Sequence, residues 1–199
     1  MKPLTYPARP VQGGPLDKAR AKPPGIWYYE PKYNGWRALV HVPTGTMFNR
    51  KGEQLSIAAE FAAPLTQLQC TAFEWLDCEA LDRRHGLGRG SLVVLDEPGS
   101  RLPYEDRILR LTQILVPDVG AIALGMAVQP PANAILLAPV LVTQKQATDA
   151  WVSLQSVNAW LGCEFYEGLV AKRADSLYPI QLRSPDEAFG GWIKHRWQW

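Results

Sequence analysis

Short apolar runs separated by turn residues dominate this chain, and they predict strands over 26–30, 35–42, 72–81, 91–96, 134–142, 167–172 and 189–197. Helical spacing appears in three places. Ile57, Phe61, Leu65 and Leu68 recur at i, i+4, i+8 and i+11 and predict a helix over 57–68. Leu109, Leu111 and Ile114 among charged positions predict a second over 103–115, and Ala150, Trp151, Leu154 and Val157 a third over 144–161. Residues 1–25 are rich in Pro and Gly and lack periodicity, so they read as an N-terminal arm ahead of a domain covering 26–199. The Ala-, Gly- and Pro-rich stretch 116–133 reads as a flexible connection. Many strands with a few helices between them make an α+β plan.

Composition narrows the setting more than the chemistry. The chain has 199 residues, enough to bury a core without disulfides. No apolar run approaches the roughly 20 residues that cross a bilayer, and Met1-Lys2-Pro3-Leu4 carries no signal-peptide core, so no membrane role is expected. Cys70, Cys78 and Cys163 are odd in number and lack CxxC spacing, which argues against a disulfide frame or zinc site. The expected location is cytoplasmic and reducing, including a nucleoid or a site of viral replication.

A net charge of +2 is too small to argue nucleic-acid binding, but its distribution is uneven. Arg83, Arg84, Arg89, Arg101, Arg107 and Arg110 fall between Asp82 and Arg110, and Lys172, Arg173, Arg183, Lys194 and Arg196 in the last thirty residues. Such segments are solvated faces unless an anion gathers them. No GxGxxG follows the first strand and no GxxxxGK[ST] occurs, so any nucleotide must be held by side chains.

Candidate chemistry starts at Lys32, in Glu30-Pro31-Lys32-Tyr33-Asn34-Gly35-Trp36-Arg37, which reads as the turn between the first two strands. Alone, this is a solvated turn lysine or, with Gly35 allowing close approach, an amine facing a pocket. Downstream runs bear on the choice. Asp77 and Glu79 alternate onto one strand face, either an exposed polar face or a carboxylate pair for a divalent cation that also bridges phosphates. Trp192, Lys194 and Arg196 share a face, and two cations so close suit an anionic guest. In Glu167–Lys172, strict alternation puts Glu167 and Lys172 on opposite faces unless a bulge intervenes.

In order, KYNGWR, FNRKG (48–52), WLDCEAL (75–81), VVLDEP (93–98), EGLVAKR (167–173) and WIKHR (192–196) resemble the covalent nucleotidyltransferases: ATP-dependent DNA ligases, RNA ligases and mRNA capping enzymes. The style of EPKYNGWR and of the run from EGLVAKR to WIKHR is most similar to the adenylation domain of an ATP-dependent DNA ligase. The resemblance spans about residues 26–196 and implies an ATP-grasp-like α+β domain of two mainly antiparallel sheets with flanking helices. It implies that Lys32 attacks the α-phosphate of ATP to give a lysyl-AMP. Glu30 then lies on the adenine side, Leu95 covers the base, and Arg37 and Arg50 contact ribose or the nick phosphate. Glu79 and Glu167 lie near the ribose and hold Mg²⁺, while Lys172 and Lys194 surround the α-phosphate, with Arg196 the second basic position of the last motif. A free lysine amine is almost wholly protonated at neutral pH, so cations beside Lys32 would favour its nucleophilic form.

The implied substrate is nicked double-stranded DNA with 5′-phosphate and 3′-hydroxyl ends, met in repair, replication or recombination. An RNA ligase, and a non-catalytic nucleotide- or nucleic-acid-binding module, are the alternatives. Asn34, Cys78 and Leu95 depart from the family, which commonly has Asp, Gly and an aromatic residue there. The sequence stops three residues after Arg196, where DNA ligases continue into an OB-fold domain. No OB-fold is therefore expected within it, and a partner supplying an OB-fold or DNA clamp, or a pre-adenylylated substrate, would complement it.

Overall fold

In the computed structural model, residues 7–81, 84–123, 129–180 and 187–197 are described. Asp82, Arg83 and Arg183, together with 124–128 of the expected connection, lie outside them. Two sheets form. The first has strand order β1(Arg9–Gln12), β10(Ala188–Arg196), β9(Tyr166–Arg173), β2(Trp27–Tyr33). The second runs β4(Thr46–Phe48), β3(Trp36–His41), β5(Trp75–Ala80), β6(Leu92–Asp96), β8(Ile135–Leu137), β7(Ile122–Ala123). Pairing is antiparallel except for β1 with β10, β6 with β8 and β7 with β8. This is the expected α+β plan of two mainly antiparallel sheets with flanking helices.

Period-two alternation divides each sheet between core and cleft. On β3 and β5, Ala38, Val40, Leu76, Cys78 and Ala80 enter the core beneath α1(Ala62–Leu68) and α2(Tyr104–Val119), leaving Arg37, Asp77 and Glu79 on the opposite face. On the first sheet, Tyr29, Leu169, Ala171 and Ile193 pack with Ala147, Ala150, Trp151 and Leu154 of α3(Gln144–Leu161). Glu30, Lys32, Lys172, Lys194 and Arg196 then line the cleft. Helix α3 begins with a capping box, Thr143 accepting from the Gln146 N–H while the Gln146 side chain accepts from the Thr143 N–H, and ends at Gly162 with φ 68°.

Several boundaries differ from expectation. Strand β2 runs through Pro31 and Lys32, so Lys32 stands in a strand and not in a turn. At the sheet's edge, Pro31 costs no ladder bond. The expected 57–68 helix starts as a 3-10 turn at Ser56–Phe61 and becomes α-helical from Ala62, with Pro64 in its first turn. Helix α2 continues through Pro117 to Val119, taking part of the expected connection. Strand β8 holds only Ile135–Leu137, although Leu141 also bridges to Tyr29. The N-terminal stretch contributes β1, and Leu16 joins the core. Among the described residues no helix is long and apolar enough to cross a membrane.

Candidate active site

The two sheets hand over at Asn34-Gly35, between β2 and β3, and a cavity of about 560 Å³ opens between their facing surfaces. A Cβ on Gly35 would lie 2.6 Å from the Ala80 carbonyl oxygen and 2.8 Å from Glu79 Cγ, so only glycine lets the connection pass this close. Lys32, Glu30, Arg37, Arg50, Glu79, Leu95, Lys172, Lys194 and Arg196 all line this cavity. Arg9 and Arg84 line it too, making eight cationic side chains against two carboxylates. For a chain of net charge +2, that concentration marks a site for an anion.

Two β-bulges place site residues. Lys32 pairs with Gly168 and Tyr33 with Tyr166, so Glu167 is the extra residue on β9. The bulge removes the alternation problem: Glu167 Oε2 accepts from Lys32 Nζ and, at 2.8 Å, from Arg196 Nη2. Gly168 has φ 141°, and a Cβ there would collide with the His195 carbonyl, so the bulge requires glycine. The second bulge lies between β5 and β6, where Asp77 pairs with Asp96 and Cys78 with Val94. Leu95 is the extra residue, half-buried on the cavity wall.

Around Lys32 the charges are unequal. Burial pushes the Glu167 carboxyl up, but Lys32, Arg196 and Arg84 overcome it and hold the group below its usual range. Lys194 sits below the usual amine range, through burial first and then Arg196, Lys32 and Arg9, with Glu167 opposing. Burial pushes Glu79 up to about 7, despite Lys32, Arg37 and a 2.9 Å hydrogen bond from the Gly35 N–H.

Lys172, expected beside the α-phosphate, lines the cavity and is enclosed by acceptors. Its ammonium reaches Glu30 Oε1 at 3.0 Å, the Leu95 carbonyl at 3.0 Å and Asp96 Oδ2 at 3.5 Å. An ammonium has three N–H donors, so these acceptors occupy it. Glu30 also accepts from the Tyr104 hydroxyl, and Asp96 pairs with Arg107 at 2.6 Å, every one of these groups buried. Arg107 further donates to the Leu102 and Ser176 carbonyls at 2.7 and 2.9 Å. Burial raises the Glu30 carboxyl, opposed by Lys172 and Tyr104. Burial also pushes Asp96 up, but Lys172 and Arg107 prevail and lower it.

The expected Asp77–Glu79 cation pair is corrected in one member. Asp77 shares a face with Glu79 but is fully buried, paired with Arg37 and accepting from the Tyr178 hydroxyl at 2.8 Å. That leaves Glu79 and Glu167. Among the described residues no group of three or more His, Cys, Asp or Glu side chains forms a metal cage. One or two carboxylates completed by substrate phosphates and water is nonetheless the donor set Mg²⁺ prefers, and Glu79, a carboxylate on the cavity wall whose charged form burial disfavours, fits it.

The sequence reading missed Arg9, Tyr104, Asp96, Arg107 and Tyr178 as parts of this region. Only Asp96 left a signal, a carboxylate inside the apolar run Leu92–Leu95.

No protein-family model matches the sequence, and no curated protein matches it. Solved structures do. The architecture is a nucleotidyltransferase fold. More particularly, it is the fold of ATP-dependent DNA ligase adenylation domains, matched over nearly the whole chain. The ligase domain of M. tuberculosis LigD superposes with a TM-score of 0.61 and 18% identity, over 96% of this chain and 59% of that one. A Chlorella virus DNA ligase-adenylate gives 0.63 and 12%, over 97% and 67%. A mycobacterial DNA ligase D complexed with ATP gives 0.59 and 18%, over 97% and 60%. This chain thus spans little more than half the length of the LigD ligase domain.

Proposed function

We propose that this chain is the catalytic domain of an ATP-dependent polynucleotide ligase that seals 5′-phosphate/3′-hydroxyl nicks in double-stranded DNA. The observation that carries the reading is Lys32, whose amine is hydrogen-bonded to Glu167 at a cation-lined cavity that also holds Lys194 and Arg196. Lys32 Nζ attacks the α-phosphorus of ATP, forming an N–P bond as the P–O bond to pyrophosphate breaks. Glu167 is the hydrogen-bonded acceptor in place for the proton that the amine sheds. Lys194 and Arg196 meet the charge that develops on the phosphoryl oxygens, a stabilisation that grows toward the transition state. Glu79 and Glu167 would hold Mg²⁺, which supplies further neutralisation of phosphate charge.

Leu95 forms an apolar wall for the base, and Glu30, oriented by Tyr104 and Lys172, presents a fixed carboxylate beside it. Lys172 is therefore assigned to positioning Glu30 and Leu95, not to the phosphate. Arg37 and Arg50 offer cations to the ribose or the nick phosphate. After AMP passes to the 5′-phosphate, attack by the 3′-hydroxyl displaces AMP and closes the strand. DNA is favoured because solved structures that this chain superposes on include DNA ligases.

Incubation with ATP and Mg²⁺ followed by intact mass measurement tests the reading. An AMP adduct is expected in the wild type and none in Lys32→Ala, with sealing of a nicked DNA duplex exceeding that of a nicked RNA duplex. No adduct from ATP, together with no sealing of pre-adenylylated nicks, would overturn it.

A further inference from the structure

Glu167 stands between two cavities. Its carboxylate accepts from Lys32, which lines the cation-rich cavity, yet Glu167 is also on the wall of a second cavity of about 490 Å³, with Asn158, Tyr166, Arg196 and Trp197. The bulge leaves Glu167 without a paired residue on β2, and the ladder between β9 and β10 ends one residue later, at Gly168 with Arg196. With open space beside it and no cross-strand neighbour in register, the side chain has a second direction to take.

A helix side chain holds the start of β9 where the β10 ladder has stopped. Asn158 Oδ1 accepts from the Tyr166 N–H at 2.9 Å, and Asn158 Nδ2 donates to the Tyr166 carbonyl at 2.8 Å. One amide thus supplies both the donor and the acceptor of an antiparallel strand pair. Asparagine is a poor helix former because its amide competes for backbone groups, and in α3 it does so across to a strand. Its base is rigid, one turn beyond Leu154 on the face that packs against the first sheet. Asn34 secures the two preceding residues, its main-chain N–H on the Phe165 carbonyl and its Nδ2 on the Glu164 carbonyl, both at 2.9 Å. The main chain is therefore fixed directly ahead of Glu167, as Gly168 fixes it directly behind.

We propose that Asn158 is a positioning residue for Glu167: by clamping the Tyr166 main chain it keeps the carboxylate on Lys32 and out of the second cavity. This rests on the ligase reading, in which Glu167 accepts the proton that the Lys32 amine sheds. The second cavity also lets water reach the Tyr166 main chain when the amide is removed, so the clamp can be lost without leaving those groups unsatisfied. Water satisfies them but does not fix the direction of the strand.

The test uses the full chain and its Asn158→Ala variant, with two measurements. Single-turnover adduct formation over a series of ATP concentrations with Mg²⁺ gives a maximum rate constant, a half-saturating ATP concentration and an end point. Crystal structures of both proteins without nucleotide give the position of the Glu167 carboxylate. Asn158→Ala is expected to lower the maximum rate constant by about tenfold and to leave the half-saturating ATP concentration within about twofold, because the acceptor is displaced and the nucleotide contacts are not. Its crystal structure is expected to show Glu167 turned from Lys32 toward the second cavity. If the alanine variant does not fold, Asn158→Asp, isosteric but facing the Tyr166 carbonyl with an oxygen, carries the same expectations. An unchanged maximum rate constant overturns the proposal, as does Glu167 still on Lys32 in the variant. A lower end point with the rate constant of the folded fraction intact makes Asn158 merely structural, and also overturns it. If the wild type forms no adduct, the ligase reading falls, while the two crystal structures still decide whether Asn158 positions Glu167.

Discussion

Two lysine–carboxylate pairs, each with its lysine on the same cavity, behave as opposites. Lys32 and Glu167 each keep 20% of the side chain exposed, whereas Lys172 and Glu30 keep 4% and 3%. The first pair stands at a bulge, beside Lys194 and Arg196, with water and ligand access. The second is locked by Tyr104, the Leu95 carbonyl, Asp96 and, through Asp96, Arg107. Motif order alone gives both lysines a phosphate-handling role. In the function proposed above, burial separates them: the ammonium enclosed by three acceptors organises structure, and the one on a solvated bulge exchanges its partner for a substrate.

The contrast can be broken most severely at the bulge itself. Gly168→Ala forces a Cβ into the His195 carbonyl at φ 141°, and a loss of several kcal/mol in chemical denaturation, with loss of adduct formation, is expected. Next, Lys172→Met leaves Glu30 buried without its cation, Asp96 keeping Arg107, and should cost about 3–5 kcal/mol. Lys32→Met, by contrast, should change stability by about 1 kcal/mol or less while abolishing the adduct. Equal destabilisation by the two methionines would erase the distinction drawn between them.

A smaller effect concerns β1. His195 is 1% exposed, and burial, with Lys22 adding and the Gly14 hydrogen bond opposing, holds its ring below the ordinary range. The unfolded chain therefore takes up a proton first as pH falls, so this contribution to stability is whole above about 6.5 and declines below it. Between pH 8 and pH 5 the wild type should lose stability relative to His195→Asn, read as the pH-dependent part of the difference between their denaturation midpoints. A difference that does not vary with pH would remove His195 as the source of that loss.

Much of the fold was legible because its signals are local. Alternation along Trp36–His41 and Trp75–Ala80, and the helical spacing over 144–161, reflect one buried face each, which period two or 3.6 reports directly. Nine of the ten residues picked for chemistry line one cavity, eight of them carried there by strands and Arg50 by the turn after β4. The rest depends on tertiary contacts. The bulges at Glu167 and Leu95 are pairing offsets that neither strand encodes alone. Strand β1 has four residues at a sheet edge, two of them Arg9 and Pro10, and shows no alternation to detect. The occupation of Lys172 required Glu30, Leu95 and Asp96, from two other strands, to converge on it.

The central claim is that Lys32, and not another lysine of the cavity, receives AMP. Proteolysis of the ATP-treated wild type, followed by tandem mass spectrometry of the lysine-containing peptides, tests it most directly. The account predicts adenylylation on the peptide bearing Lys32, with Lys172 and Lys194 unmodified. AMP found on Lys172 or Lys194, with Lys32 bare, would contradict it.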